Sequence, residues 1–335
     1  MAAGVTASLV TPASWAQPRP EKGHLHIAVG GKATFYYLPL TIAQQLGYFE
    51  SEGLEVQIND HAGGAQALQA VLGGAADVAA GAYEHTISQQ ARGQLLQAFV
   101  LQGRAPAMAL GISPKSALHY RSPVELRGKR IGISTPGSST HMLARMILAR
   151  AGVFAGEVSF IGVGTGAGAL SAWRAGQLDA LSNVDPVLTV LEQKGELRIV
   201  VDTRTLKGTQ DVFGGPMPGG CLYAPLEFVG KNPRTVQALT NALVHALKWL
   251  QTAGPSDIIK TVPESYLLGD RGLYLATFNK VREAISPDGM MVEEAPRTAL
   301  KALASLDAAI RADKIDLSKT YSNEFAKRAK DRFKA

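Results

Sequence analysis

The sequence contains a single cysteine, Cys221, among 335 residues. One thiol cannot form an internal disulfide, and zinc or iron–sulfur sites built from several cysteines are excluded. No second histidine stands at metal-ligand spacing from His85, so we predict neither a metal nor a cofactor. The chain also lacks any interior run of about eighteen apolar residues, which a membrane-spanning helix would require. We therefore expect the body of the chain to lie outside a membrane.

Several enzyme motifs are missing as well. Gly30-Gly31 does not form a Gly-x-Gly-x-x-Gly dinucleotide fingerprint, and the chain has no Gly-x-x-x-x-Gly-Lys-Ser/Thr phosphate loop and no Gly-x-Ser-x-Gly elbow. No obvious pair of carboxylates suggests acid–base chemistry. We therefore predict no catalytic residues and no enzymatic activity.

Charged residues make up only 19% of the chain, which carries a net charge of +6. The lysines and arginines are spread along it and become dense only between Lys327 and Lys334, where they are typical of a solvated helix. We predict no nucleic-acid partner. The positive field would instead attract anionic solutes.

An apolar run occupies residues 1–16 and ends in Ser14-Trp15-Ala16, before Gln17 and Pro18. It is similar to the end of a secretory signal with its small-residue cleavage site, although a basic leading segment is missing. We predict that residues 1–16 are the remnant of a signal peptide and that the protein is exported.

Strand-like apolar runs alternate with helix-like segments from His26 to Ala80, and the same order begins again at Arg130. This alternation predicts an α/β fold with largely parallel sheets. Two segments also match residue by residue, which indicates two related lobes. The matching sets are Ala67, Leu68, Ala70, Gly74 and Asp77 with Ala169, Leu170, Ala172, Gly176 and Asp179, and Gly47, Phe49, Glu55 and Val56 with Gly152, Phe154, Glu157 and Val158.

Clusters of glycine, proline and serine predict two crossover segments, at Gly111–Leu118 and Gly214–Gly220. We therefore assign residues 24–110 and 220–335 to one lobe and residues 111–219 to the other. Asn232–Ala253 is typical of a long amphipathic helix, which we expect to pack on the first lobe.

Loops that follow the strands supply the candidate binding residues, because ligands of parallel α/β sheets bind beyond the carboxyl ends of the strands. In the first lobe these are Thr34, Tyr36, Tyr37, Gly63, Gly64, Ala65, Tyr83, Glu84 and His85. In the second lobe they are Ser138, Ser139, Thr140, Gly164, Thr165, Asn183 and Asp185. Each residue type also has a purely structural interpretation. In it the tyrosines belong to the core, the glycines form tight connections, His85 is a packing residue and Asp185 caps a helix.

The most informative loop is Ile133–His141, a strand followed by a glycine–serine turn that opens a helix. Ser138, Ser139 and Thr140 offer hydroxyl groups beside the first helical amides, and the helix dipole favours negative charge there. One serine is enough to cap a helix, so three successive hydroxyls favour an anion site.

Several segments taken together resemble the alkanesulfonate, taurine and nitrate type of periplasmic binding protein, a wider family that includes thiamine-precursor binding proteins. The resemblance covers roughly residues 24–320. The segments are Tyr37-Leu38-Pro39-Leu40, Leu46-Gly47-Tyr48-Phe49, Gly64-Ala65-Gln66-Ala67-Leu68, Leu126-Arg127-Gly128-Lys129-Arg130-Ile131-Gly132, Gly137-Ser138-Ser139-Thr140-His141 and Asp185-Pro186.

The resemblance implies a two-lobed periplasmic-binding-protein architecture of type II, with a hinge of two crossover segments. It further implies a periplasmic, monomeric protein that closes over a small anionic solute and passes it to the inner-membrane permease of an ABC importer. In sulfonate-type members the acid group sits on loop amides and a serine-rich helix start. Those positions correspond here to Gly64, Ala65, Ser138, Ser139 and Thr140.

Two segments depart from the sulfonate binders and leave the acid group of the solute open between sulfonate, carboxylate and phosphate, with aromatic carboxylates among the candidates. Tyr83-Glu84-His85 replaces small and proline-rich residues, and Leu181-Ser182-Asn183 stands where tryptophan is common. The same fold also hosts enzymes, a desulfinase and a pyrimidine synthase, which form the alternative. The desulfinase has a nucleophilic cysteine after its first strand, where this chain has Gly30–Tyr37 and no cysteine.

Overall fold

The computed structural model describes residues 19–335, so the predicted signal segment 1–16 lies outside the described residues. The strands of the described part are β1 His24–Gly30, β2 Glu55–His61, β3 Val78–Ala82, β4 Leu96–Leu101, β5 Met108–Ile112, β6 Arg130–Ile133, β7 Ser159–Gly162, β8 Ala180–Val184, β9 Arg198–Asp202 and β10 Gly220–Pro225. The helices are α1 Leu38–Gln45, α2 Tyr48–Ser51, α3 Gly64–Leu72, α4 Glu84–Gln90, α5 Pro114–Ala117, α6 Ser139–Arg150, α7 Ala167–Arg174, α8 Val187–Gln193, α9 Leu206–Phe213, α10 Leu226–Lys231, α11 Pro233–Thr252, α12 Pro255–Thr261, α13 Arg271–Val281, α14 Glu294–Leu306 and α15 Glu324–Phe333.

The strands form two five-stranded sheets with one common topology. Their orders are β2-β1-β3-β10-β4 and β7-β6-β8-β5-β9, and we call the sheets with their helices the first and second lobes. The α/β prediction is confirmed, but the prediction of largely parallel sheets is wrong. In each lobe the first three strands are parallel, whereas the strand that arrives from the other lobe pairs antiparallel with both neighbours.

The internal repeat seen in the sequence has a structural basis. Gly74 and Gly176 both have positive φ, at 75° and 68°, and each ends a helix just before a strand. The Asp77 carboxylate accepts a hydrogen bond from the His26 backbone N at 3.0 Å, and the Asp179 carboxylate accepts one from the Arg130 backbone N at 2.9 Å. Both lobes therefore use one helix–glycine–strand unit that is tied to its neighbouring strand by an aspartate.

The first crossover lies earlier than the sequence predicted. β4 belongs to the first sheet and β5 to the second, so the chain crosses between Leu101 and Met108, before the predicted Gly111–Leu118. Gly111 is a strand residue: a Cβ built on it would lie 2.2 Å from a Leu197 methyl carbon. This glycine serves close packing. The return crossing lies between Asp202 and Gly220, a range that contains the predicted Gly214–Gly220.

The carboxyl-terminal helices pack on the first lobe, as predicted. α11 contacts α1, α2 and α15 and buries residues such as Leu239 and Leu243 in the first-lobe core. α14 contacts both α4 of the first lobe and α6 of the second, and Arg145 of α6 donates a hydrogen bond to the Leu306 carbonyl at 2.9 Å. The end of α14 therefore closes one side of the boundary between the lobes. That the two lobes move relative to each other stays a prediction.

Candidate ligand-binding cleft

Loops from both lobes meet at the carboxyl ends of the parallel strands and enclose a small cavity, the central cavity. Eight predicted residues line it: Thr34, Tyr36, Tyr37, Gly64, Ser138, Ser139, Thr140 and Thr165. Its volume is about 30 Å³, far below the roughly 300–1,000 Å³ of an open small-molecule pocket. The lobes therefore stand closed around this point.

The serine-rich start of α6 is fixed by a triangle of hydroxyl groups. The Ser134 hydroxyl lies 2.8 Å from that of Ser138 and 2.9 Å from that of Thr140, and Ser138 and Thr140 are 2.9 Å apart. Ser138 is the N-cap residue, yet its side chain makes no capping bond. The first-turn amides of α6 therefore have no side-chain cap and no acceptor within the helix, so they are available to an anion.

Ser139 is the hydroxyl of this loop that faces the first lobe. It is half-buried and lies beside the Tyr36 and Glu84 side chains, where its hydroxyl partly offsets the burial that raises the pKa of both groups. Ser138 and Thr140, by contrast, use their hydroxyls within the second lobe. Ser139 is therefore the member of this hydroxyl group that contacts first-lobe side chains across the cleft.

A glycine at the end of β1 allows the start of α3 to enter the cleft. A Cβ on Gly30 would lie 2.2 Å from the backbone N of Gly64, so a larger residue would push α3 away. The hydroxyl of Tyr37 lies 3.8 Å from the position that a Cβ of Gly64 would take. Gly30 thereby places the α3 amides beside a phenol at the centre of the cleft.

Tyr36 and Tyr37 form the aromatic wall of the central cavity. Their rings pack edge to face with centroids 4.9 Å apart, and Tyr37 is buried. Burial raises the pKa of both phenols well above the ordinary value, so both stay neutral and can donate hydrogen bonds. This part of the cleft is suited to a flat or apolar solute group with polar edges.

Glu84 and His85 are a pair of adjacent buried titratable residues at the start of α4, each only 4% exposed. His85 Nδ1 lies 3.0 Å from the Tyr223 hydroxyl, while His85 Nε2 and Glu84 Oε1 have no hydrogen-bond partner in the described structure. Burial raises the pKa of Glu84 to about 7 and lowers that of His85 to about 4. Near neutral pH, His85 is therefore uncharged and Glu84 is close to its midpoint.

A second and larger cavity adjoins this pair, and we call it the side cavity. Its volume is about 490 Å³, and it reaches from α3 and α4 across to α6 and the end of α14. Of the predicted residues, Ala65, Glu84, His85 and Ser138 line it. Sequence reasoning did not select four further lining residues, Arg92, Thr135, His141 and Arg145.

The loop Ile133–His141 gave a signal for two of these missed residues. Thr135 and His141 lie in it, although only its three successive hydroxyls were selected as contacts. Arg92 follows α4, and Arg145 lies within α6. No local pattern marks either arginine, because the packing of α4, α6 and α14 brings them to one cavity.

Three predicted contact residues have their side chains occupied elsewhere. The Tyr83 hydroxyl lies 2.6 Å from the Thr320 hydroxyl in the first-lobe core. The Asn183 amide donates to the Gly164 carbonyl and accepts from the Val184 backbone N. We therefore remove Tyr83 and Asn183 from the candidate contacts, because their polar atoms already have partners.

Asp185 is the third such residue. Its carboxylate accepts a hydrogen bond from the Thr189 backbone N at 2.8 Å, which caps α8, and it pairs with the buried Arg204 at 3.3 Å. Asp185 therefore caps a helix, the role that the sequence offered as the alternative to binding a ligand. The Asp185 carbonyl nevertheless accepts a hydrogen bond from the Phe35 backbone N of the first lobe at 3.2 Å. Asp185 therefore connects the lobes through its backbone.

Glycines line the contact between the lobes. A Cβ on Gly31 would lie 2.2 Å from Thr165 Oγ1, and one on Gly63 would lie 2.5 Å from Thr135 Oγ1. A Cβ on Gly164 would lie 3.9 Å from the carbonyl oxygen of Ala62. Three predicted residues, Gly63, Gly164 and Thr165, therefore lie in the closing surface of the cleft, and glycine keeps that surface thin enough for the loops to meet.

Within residues 19–335, no helix is long and apolar enough to cross a membrane. In the same range, no group of three or more histidine, cysteine, aspartate or glutamate residues is placed to hold a metal ion.

Several solved structures share the fold of this chain. A solved structure of a protein from Bordetella bronchiseptica RB50 is 54% identical, with a TM-score of 0.93, covering 95% of this chain and all of that chain. The alkanesulfonate-binding protein SsuA from Xanthomonas axonopodis pv. citri, bound to MOPS, is 21% identical with a TM-score of 0.68, covering 90% and 99%. The periplasmic nitrate-binding protein NrtA from Synechocystis PCC 6803 is 15% identical with a TM-score of 0.70, covering 94% and 90%.

These similarities confirm the two-lobed periplasmic-binding-protein fold that the sequence predicted. The family described as "NMT1/THI5 like" matches residues 34–255, a range that contains the whole second lobe and every predicted contact residue. The chain therefore belongs to the NMT1/THI5-like family.

Proposed function

We propose that this protein is the solute-binding component of an ABC importer, acting in the periplasm as a monomer and delivering a small solute to an inner-membrane permease. The observation that carries the proposal is the meeting of the α3 and α6 starts from opposite lobes, with uncapped amides on both sides. Such a site binds by closure, because only the closed state lets both lobes contact one solute.

The solute is a small organic anion, sulfonate-like or carboxylate-like, whose acid group lies at the start of α6. The first-turn amides and the Ser139 hydroxyl supply donors, and the helix dipole adds positive potential. Each hydrogen bond to a charged acid group contributes about 1.5–3 kcal/mol. Tyr36 and Tyr37 would contact the body of the solute, which favours an aromatic group.

The chemistry of the cleft supports transport over catalysis. Cys221, the one thiol of the chain, is buried, and burial raises its pKa well above the ordinary value. A protonated and inaccessible thiol is a poor nucleophile. The polar groups at the central cavity are amides, hydroxyls and phenols, which bind solutes without reacting with them.

The test is a thermal-shift screen against alkanesulfonates, aromatic sulfonates, aromatic carboxylates, pyrimidines, nitrate and phosphate esters. A compound that binds only the folded state raises the melting temperature. We expect at least one organic acid to raise it and to be recovered unchanged by mass spectrometry. A compound that is consumed would point to an enzyme on the same fold, and no shift with any acid would contradict the proposal.

A further inference from the structure

Arg204 is the largest fully buried side chain of the described residues, and it lies where the chain leaves β9 for the return crossing. Its guanidinium group pairs with three carboxylates of the second lobe. It donates to Asp202 through two hydrogen bonds of 2.9 and 2.7 Å, and it lies 3.3 Å from both Asp185 and Glu192. Buried ion pairs often add little to stability compared with apolar packing, whereas they fix the positions of the groups that they join.

Two of these partners lie at opposite ends of α8. Asp185 stands just before the helix and caps it, and Glu192 is its last residue but one. The helix has seven residues and is about 10 Å long. Arg204 therefore holds both ends of α8, and the helix cannot turn or slide without breaking one of the two contacts.

Both ends of α8 also contact the first lobe. The Asp185 carbonyl accepts the hydrogen bond from the Phe35 backbone N at 3.2 Å, and the Glu192 carboxylate accepts one from Lys280 Nζ at 2.5 Å. Lys280 lies on α13, which buries Phe278 in the first-lobe core. One helix of the second lobe thus makes a polar contact with the first lobe at each of its ends.

The ion pair lies beside the crossover segments but is not part of them. The Arg104 backbone N, in the first crossing, donates to the Ala284 carbonyl at 2.7 Å. Lys280 precedes Ala284 by about one helical turn, whereas Glu192 belongs to the second lobe. Bending of the crossings would therefore change the distance between Lys280 and Glu192.

We propose that α8 is a latch that stabilises the closed cleft before any solute is bound. Arg204 is its positioning residue, because it holds both ends of α8 against the first lobe. The Glu192–Lys280 ion pair is the part that breaks on opening and forms again on closure. This inference rests on the lobe closure that the proposed function requires, but it does not depend on the identity of the solute.

Double electron–electron resonance on the solute-free protein measures the distance between the lobes. Nitroxide labels are attached at Ala75→Cys and Gln177→Cys, exposed positions that follow α3 of the first lobe and α7 of the second. Cys221 is buried and stays unlabelled. In Lys280→Met, the ratio of closed to open molecules should fall about fivefold, which corresponds to about 1 kcal/mol, the upper end for a partly exposed ion pair.

The ionic contact has a signature of its own. Lys280 and Glu192 are each about one-third exposed, so raising sodium chloride from about 50 to about 500 mM should lower the ratio in the labelled parent and much less in Lys280→Met. Glu192→Gln and Lys280→Met together should lower it by less than the product of their separate effects, because both remove one contact. Lys330→Met is the matched control, because Lys330 pairs with Asp288 at 2.8 Å within the first lobe.

Arg204→Lys tests the positioning role, because lysine keeps the charge and loses the planar fork of donors. This variant should lower the closed ratio and reduce the further effect of Lys280→Met. Equal ratios in Lys280→Met and the parent, a ratio independent of salt, or an equal fall in Lys330→Met overturns the latch, even if Arg204→Lys does not fold. A screen in which no acid binds overturns the proposed function instead, and it leaves the closed ratio measurable.

Discussion

At the scale of single residues, the buried Glu84 predicts a pH dependence of stability. Its pKa rises from 4.5 in the unfolded chain to about 7 in the folded protein. Folding therefore favours the protonated form, and this stabilisation is present below pH 4.5 and is lost as the pH rises through 7. At about 1.4 kcal/mol per pKa unit, the loss amounts to about 3 kcal/mol.

Urea unfolding of the wild type and of Glu84→Gln between pH 4.5 and 8 measures this effect. The wild-type free energy of unfolding should fall relative to that of the variant as the pH rises. His85 acts in the opposite sense, because its lowered pKa of about 4 removes stability as the pH falls below 6.5. The variant retains His85, so the difference isolates Glu84. A constant difference across the range would contradict the prediction.

Ser139 carries the second prediction at this scale. Ser139→Ala removes the hydroxyl that faces the first lobe and should weaken binding of an acid found in the screen by about tenfold. Titration calorimetry measures the affinity. Ser171→Ala, at an exposed position on α7, is the control. Unchanged affinity in Ser139→Ala would remove the start of α6 from the site.

Local sequence pattern predicts which loops form the cleft better than it predicts which atoms face it. Ser138, Ser139 and Thr140 were one predicted group, yet only Ser139 reaches across to the other lobe. Tyr83 has the same kind of hydroxyl as Tyr37 but uses it on Thr320, far along the chain. Such partners come from tertiary packing, so no spacing within a loop reveals them.

At the scale of elements, the repeated helix–glycine–strand unit gives a third prediction. Gly74 and Gly176 have positive φ and open space around their Cβ positions. Alanine there should destabilise each lobe by about 1 kcal/mol through backbone strain alone. Gly230→Ala is the matched control, because this glycine lies within α10 with ordinary φ and open space, and should stabilise by about 0.5–1 kcal/mol. Denaturant unfolding measures all three, and an unchanged Gly176→Ala would contradict the strain argument.

The same unit shows how far sequence reasoning reaches at this scale. The order of helices and strands, the repeat and the long α11 were all predictable, because amphipathic period and glycine stops are local signals. The first crossover was misplaced because Gly111 resembled a loop glycine, although its role is to admit Leu197 against β5. A glycine required for packing and one required for a turn look alike in a single sequence.

At the scale of the whole molecule, closure of the lobes gives the fourth prediction. Gly63 has an extended backbone that alanine adopts freely, with φ at −175°, so Gly63→Ala should leave the first lobe intact. In the closed state, however, the added Cβ would lie 2.5 Å from Thr135 Oγ1 and 2.8 Å from its methyl carbon. Affinity for an acid from the screen should fall by tenfold or more, at a cost of about 1.4 kcal/mol or above.

Thr135→Ala in the same chain should recover part of the affinity, because the two closest atoms are then gone and the nearest remaining carbon lies 3.1 Å away. Small-angle scattering with the acid present reports the shape directly. The single variant should stay more extended than the wild type. A compact, tightly binding Gly63→Ala protein would show that these loops do not meet on closure.

The matching strand orders of the lobes have a consequence for the orientation of the solute. Two halves with one backbone plan face each other across the cleft, so the fold alone treats either end of a bound molecule alike. Side chains break that pseudo-symmetry, because the first lobe supplies phenols and a carboxyl group and the second lobe supplies hydroxyl groups. The direction in which the solute lies in the cleft is thus set by a few side chains on two similar backbones. Exchanging these side chains between the two lobes would reverse the orientation of the bound solute without a change of fold.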